Sequence, residues 1–352
     1  MRVVTRRAGL VHTEVRLDDG STCAADAFPS MLGDIAEGHR VVVNTTALEL
    51  ALGTGGRGFI LWDLDAPALP PSGEGHIVKM RYTPWQTEVL AAEEPASPHH
   101  GALVEIDSID GMPVVACGLH SQVAAVAAGI RAERPGARIG YLMTDGAALP
   151  LAWSELVHGC KEAGLIDVTA TCGHAFGGDL ETVNVFSGLA ALRHAAPADV
   201  AVVAMGPGVV GTGTALGFTA MEQGQVLDAA TALGGRAIAC LRISFADERP
   251  RHRGISHHTV TALTLAATAP ADVVVPQIDG ALEVLLQRLA ETRVADRHRI
   301  HVARGAPGLD LLRGTGIRVA SMGRTLDEVP ETFLAAAAAG AHAAEYLPDT
   351  LR

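Results

Sequence analysis

Twelve residues from Asp247 to His258, Asp-Glu-Arg-Pro-Arg-His-Arg-Gly-Ile-Ser-His-His, hold three arginines and three histidines. Guanidinium forks pair with carboxylate or phosphate through two parallel hydrogen bonds. Neutral imidazoles transfer protons or ligate metals. Arg249, Arg251 and Arg253 therefore read as counter-charge for an anion. His257 or His258, with Asp247, reads as the group that handles a proton or a metal. Ser256 is placed to cap a helix starting near His257.

One strand earlier, Gly206-Pro-Gly208-Val-Val-Gly211-Thr212-Gly213-Thr214 follows the apolar run Val200–Met205. Its first six residues match G-x-G-x-x-G, and the pattern predicts that this turn opens a helix. Backbone N–H groups at such a terminus attract anions. A dinucleotide site also needs an acid at the end of the next strand, about 20 residues on. Here that strand ends in Arg242-Ile-Ser244. A P-loop needs Lys after Gly213, where Thr214 stands instead. The remaining reading is a phosphate or carboxylate site made of backbone amides with Thr212 and Thr214.

Further candidates lie on other strand-end loops. Gly173-His174-Ala-Phe-Gly-Gly-Asp179 places His174 and Asp179 on a glycine-rich segment. With Asp247 and His257 or His258 they are compatible with a divalent metal. No H-x-x-x-H or H-E-x-x-H spacing accompanies them, and His174 as a general base oriented by an acid fits equally. His120 and Ser121 open the segment after an earlier strand. His120 is the ligand candidate, and Ser121 reads as a helix cap because G-x-S-x-G is absent. Cys172, at a strand end, reads as a buried small residue.

These loops need a scaffold. The chain has 352 residues, 48% hydrophobic and 4% aromatic, with a net charge of −12. The acidic balance argues against nucleic acid or an anionic membrane as partner. Five dispersed cysteines, with no C-x-x-C pair, suggest free thiols. No signal peptide or membrane-length apolar run is read, so a cytoplasmic location is expected. Residues 1–95 show short strands and an Asp18-Asp-Gly20 hairpin signal, which predicts a small β-barrel or sandwich. His76, Lys79 and Arg81 read as a solvated strand face, and residues 93–101 as a linker. From residue 102 to 352, apolar strands alternate with Ala-rich helical stretches. This predicts an α/β domain with a mostly parallel, three-layer Rossmann-like sheet, a (β/α)8 barrel being the alternative. The eighth strand is expected at residues 318–320.

The 206–258 string, with residues 172–179, Leu119-His-Ser121 and Lys79-Met-Arg-Tyr-Thr-Pro84, resembles an uncharacterised family of unknown function from Gram-positive bacteria. The resemblance implies a bacterial cytosolic protein and carries no activity.

The expected function is an enzyme acting on a small anionic, phosphorylated or nucleotide-like, substrate. Gly206, Gly208, Gly211 and Gly213, with the two threonines, would hold the anion. The alternative is a non-catalytic metabolite sensor or scaffold whose β-rich domain meets a protein partner. A homodimer is the general expectation for such a chain.

Overall fold

The structure, a computed structural model, describes residues 1–66, 68–70 and 73–351. It divides into two compact units, Met1–Leu90 and Ala91–Arg352.

The first unit holds β1 (Arg2–Arg7), β2 (Leu10–Arg16), β3 (Thr22–Ala27), β4 (Val41–Asn44) and β5 (Arg57–Asp63), in the order β1-β2-β3-β5-β4. Only the β3–β5 pair is parallel. The Asp-Asp-Gly turn joins β2 and β3 as its composition predicts. Val11, Val15, Ala25 and Ile60 alternate inward to form a small core with Leu32 and Ile35. With β1 and β4 as its two edges the sheet is open, so the expected β-rich unit is not a closed barrel. A separate hairpin pairs β6 (Ile77–Lys79) with β7 (Thr87–Val89). Lys79, expected on a solvated face, is buried. Pro67, Pro71 and Ser72 of the intervening Pro/Gly-rich stretch lie outside the described residues.

The second unit adds, in order, β8 (Pro113–Ala116), β9 (Ile139–Thr144), β10 (Val168–Thr171), β11 (Leu180–Glu181), β12 (Val200–Met205) and β13 (Arg236–Cys240). There follow a short antiparallel pair, β14 (Ile243–Ser244) and β15 (Gly254–Ile255), then β16 (Asp272–Pro276) and β17 (Arg299–Ala303). Eight of these form one all-parallel sheet, ordered β11-β10-β9-β12-β8-β13-β16-β17. The crossover helices are α1 (Val123–Glu133), α2 (Glu155–Glu162), α3 (Val185–Ala190), α4 (Glu222–Ala232), α5 (His257–Thr261) and α6 (Leu282–Glu291), with α7 (Ala306–Gly314) and α8 (Pro330–Ala344) at the end.

The strands are apolar on both faces because both faces are covered. Val115, Ile139 and Val202 face a core shared with α1, α2, α7 and α8. Val114, Leu142 and Val203, on neighbouring positions, face the core shared with α3, α4 and α6. The Ala-rich stretch of α8 is buried, and glycine lets it sit directly on α1. A Cβ on Gly340 would lie 2.1 Å from the Val126 carbonyl oxygen, and one on Gly129 2.1 Å from that of Ala337.

The sheet is open, so the barrel alternative does not apply. Its eighth strand is Leu180–Glu181. Residues 318–320 instead lead into a minor hairpin of β18 (Ala320–Ser321) and β19 (Arg324–Thr325). The expected linker belongs to this unit: Ala91 bridges Glu181, and the Glu93 carboxylate accepts from Val183 N at 2.8 Å. The topology places β8 centrally, with β12 on one side and β13 on the other. The chain leaves β8 for β9 on one side and leaves β12 across β8 for β13 on the other, a reversal of direction of the kind at whose strand carboxyl ends open α/β sheets bind ligands.

Candidate functional site

The loop after β13 is built around Ser256. Its side chain caps α5, accepting from His258 N at 3.3 Å, and this puts His257 and His258 in the first helical turn. The same hydroxyl lies 2.8 Å from Nδ1 of His252. The three imidazoles gather as a result. Ring centroids of His257 and His258 are 4.4 Å apart, and each lies 4.8 Å from that of His252. One ring nitrogen from each falls within 4.8 Å of the others. Phe218 lies edge-on to His257 and flat on His258.

The surroundings keep these rings uncharged. Burial, helped by the Arg242 and Arg249 cations, pushes His252 down to about 4. Burial with His257 and Arg242 nearby takes His258 to about 3. His257 is lowered by burial and by Arg251. Arg242 Nη1 sits 3.5 Å from His258 Nδ1, and Arg251 Nε sits 3.4 Å from His252 Nε2. The Nε2 of His257 is buried and has no hydrogen-bond partner among the described residues.

The arginines separate into two roles. Arg249 grips Asp247 through Nε at 3.0 Å and Nη2 at 2.9 Å, and Arg253 Nε reaches the Asp247 carbonyl at 3.4 Å. Arg249 is therefore committed to its own loop, while Arg253, exposed, makes only this long Nε contact among the described residues. The Arg249 hydrogen bonds hold the Asp247 carboxyl well below the usual range. Asp247 is thus a fixed counter-charge rather than the expected proton carrier. Arg242, 7% exposed at its side chain, reaches a carboxylate oxygen of Asp247 only at 3.8 Å. Burial lowers Arg242 to about 10, still fully cationic at neutral pH.

The glycine turn meets this loop as expected, but by different means. A Cβ on Gly211 would lie 3.3 Å from His258 Cε1, and one on Gly213 3.4 Å from Arg251 Nη2. No helix begins at the turn. A 3-10 turn starts at Thr219 and α4 only at Glu222, so the 206–214 amides do not sit at a helix terminus. The reason is local pairing. Gly211 bridges Phe218, Thr212 Oγ1 donates to Gly217 O at 2.9 Å, and Thr214 Oγ1 accepts from Gly217 N at 3.0 Å. Both threonine hydroxyls close a hairpin instead of facing an anion. Gly206 is a packing glycine, since a Cβ there would lie 2.2 Å from Ala148 O. Gly208 has φ +100° and open space beside it.

The other candidates are mostly structural. His120 is buried, with Nδ1 3.0 Å from Met205 O and Nε2 2.7 Å from Ser154 Oγ. Ser121 does not cap; the Gln122 side chain accepts from Leu119 N at 3.1 Å in its place. Asp179 is held by Lys161 at 2.7 Å and by Thr169. His174 donates its backbone N–H to Asp145 at 2.9 Å, and neither it nor Asp179 joins the ring nitrogens of the histidine cluster. Among the described residues no disulfide is formed, and Cys172 is buried.

Two groups escaped the sequence reading. His252 was counted only as one of three loop histidines, because nothing local shows that it folds back onto Ser256. Glu222, in the first turn of α4, is pushed up to about 7 by burial, with Asp145 adding to the shift. Thr144 Oγ1 donates to its Oε1 at 2.6 Å. It stands four residues beyond Phe218 in an unremarkable Ala-Met-Glu-Gln string.

Asp272, His301 and His342 form another cluster. Asp272 begins β16, at the amino end of the sheet, and its two oxygens are taken by Arg299 and Tyr346, each at 2.6 Å. A cavity of about 230 Å³ beside Leu103, Phe186 and Leu233 is lined by none of the histidine-site groups. Among the described residues no helix is long and apolar enough to cross a membrane.

Among family models, the one described as a protein of unknown function (DUF3866) matches residues 24–340. No curated protein and no solved structure matches the chain.

Proposed function

The chain belongs to that family, and from this premise we propose that it is an enzyme acting on a small anionic substrate, phosphorylated or nucleotide-like. The substrate is taken at the carboxyl ends of β8, β12 and β13. One observation carries the reading: the buried Arg242 shares its ion-pair partner with a second cation. Asp247 is bound bidentately by Arg249 and reaches Arg242 only at 3.8 Å, and Arg242 also lies against a neutral histidine. A buried cation whose counter-ion is shared is under-compensated, and burying charge without full compensation is costly. A phosphate or carboxylate approaching Arg242 supplies the missing charge, and the exposed Arg251 adds a second fork beside Gly213.

Glu222 supports an enzymatic rather than a purely binding role. A carboxyl group near half-protonation at neutral pH is suited to give or take a proton. The test is calorimetric binding of inorganic phosphate to wild-type protein and to Arg242→Met, followed by NMR of a panel of phosphorylated metabolites. Phosphate binding lost in Arg242→Met, with consumption of a panel member lost in Glu222→Gln, is the expected result. Phosphate binding that is absent, or unchanged in Arg242→Met, overturns the anion site. Metabolite binding without consumption overturns the enzymatic role and leaves a sensor.

A further inference from the structure

We propose that His252, His257 and His258 together bind one divalent transition-metal ion of the zinc class, leaving an outer coordination position for the substrate anion. The inference rests on the anion-site reading for the identity of that fourth ligand, but the three protein ligands stand on their own geometry.

Three observations distinguish this cluster from packed core histidines. First, a nitrogen from each ring lies within 4.8 Å of the other two, a span that a small rotation closes onto a single ion. Second, the buried Nε2 of His257 has no partner among the described residues. Most buried polar atoms are satisfied, so this nitrogen, beside two further imidazoles, is available to a ligand. Third, the rings are held from behind. Ser256 Oγ engages His252 at Nδ1 and leaves Nε2 with only the long 3.4 Å contact from Arg251. Phe218 fixes the plane of His258 at 3.9 Å. A hydrogen bond on the far ring nitrogen is how metal-ligating imidazoles are oriented.

The donor set selects the ion. Three imidazoles without a carboxylate or thiolate suit zinc, cobalt, nickel or copper rather than magnesium or calcium. Three protein ligands are also the pattern that keeps a position open. Arg242 touches His258 and Arg251 touches His252. An anion carried by those guanidinium groups therefore arrives beside the metal. The Asp272 cluster fits less well, because Arg299 and Tyr346 already satisfy its carboxylate.

The test is titration of chelator-treated full-length protein with Co²⁺, read by visible absorption, then displacement by Zn²⁺ in the presence of Mg²⁺. One Co²⁺ per chain with nitrogen-ligated bands, displaced by Zn²⁺, is expected. His257→Ala and His252→Ala should each weaken uptake by more than about tenfold, while His301→Ala retains it. Absence of uptake by wild-type protein overturns the site, whatever the folding of the variants. So does uptake that survives both histidine variants or disappears in His301→Ala. Phosphate binding in chelator separates the two readings. Arg242-dependent phosphate binding without Co²⁺ uptake sinks the metal alone, and Co²⁺ uptake without phosphate binding sinks the anionic substrate alone.

Discussion

The ring of Phe218 lies flat on the ring of His258, with 3.9 Å between centroids and 5° between planes. This contact joins the glycine hairpin after β12 to the histidine loop after β13. It also sets the plane of one candidate ligand, so the two segments meet through an aromatic stack rather than through a helix terminus.

Phe218 is 6% exposed. Phe218→Ala should therefore cost about 3 kcal/mol of stability through the cavity it leaves. Phe218→Leu should cost about 1 kcal/mol, the share of lost stacking. Urea unfolding of both variants reads the difference, and equal losses would show that the stack adds nothing to burial.

Arg242→Met should separate stability from binding. It removes one of two cations that share Asp247, and Asp247 keeps Arg249. Removing such a charge is neutral or stabilising by about 1 kcal/mol in the ligand-free protein. A urea midpoint at or above wild type is expected, and a loss of several kcal/mol would mark Arg242 as a structural residue.

Glu222 makes stability fall toward alkaline pH. Its folded value of about 7 lies above the ordinary 4.5, so the folded state holds the proton more tightly. This stability is complete below pH 4.5 and is lost as pH rises through 7, an effect of at most about 3 kcal/mol. Glu222→Gln should flatten that limb and be the more stable protein at pH 8, as denaturant melts at pH 5 and 8 would show.

His120 acts in the opposite sense. Burial pushes it down to about 4 from 6.5, so its stability is present above pH 6.5 and is lost as pH falls through 4. His120→Gln should be less stable at pH 7 and show a shallower decline toward pH 4. A parallel decline in the two proteins would place the acid sensitivity elsewhere.

Gly340→Ala should be costly although Ala favours helices. The added Cβ would lie 2.1 Å from the Val126 carbonyl oxygen, so α8 must lift from α1. Overpacking of this kind costs about 1–3 kcal/mol. A thermal midpoint equal to wild type would contradict the close approach.

Much of the scaffold, and the segment where arginines and histidines gather, is legible in the linear chain. Runs such as Val200–Met205 and Val273–Val275 are apolar at every second and every intervening position, a pattern that suits a sheet covered on both faces. The clustering of Arg and His between Asp247 and His258, one strand after a glycine turn, marks the strand-end loops as the candidate site. Tertiary structure decided which of those residues remain free to act. Asp247 is neutralised by Arg249, Thr212 and Thr214 close their own hairpin, and Asp179 is held by Lys161. Arg242, His252 and Glu222 gained weight through burial, which a linear pattern does not record. Even Leu180–Glu181 becomes a strand only because β10 offers it an edge. Apolar periodicity is a local property of the chain. The charge state and freedom of a polar side chain depend on the partners and solvent around it after folding, and those partners lie as far apart as Thr144 and Glu222.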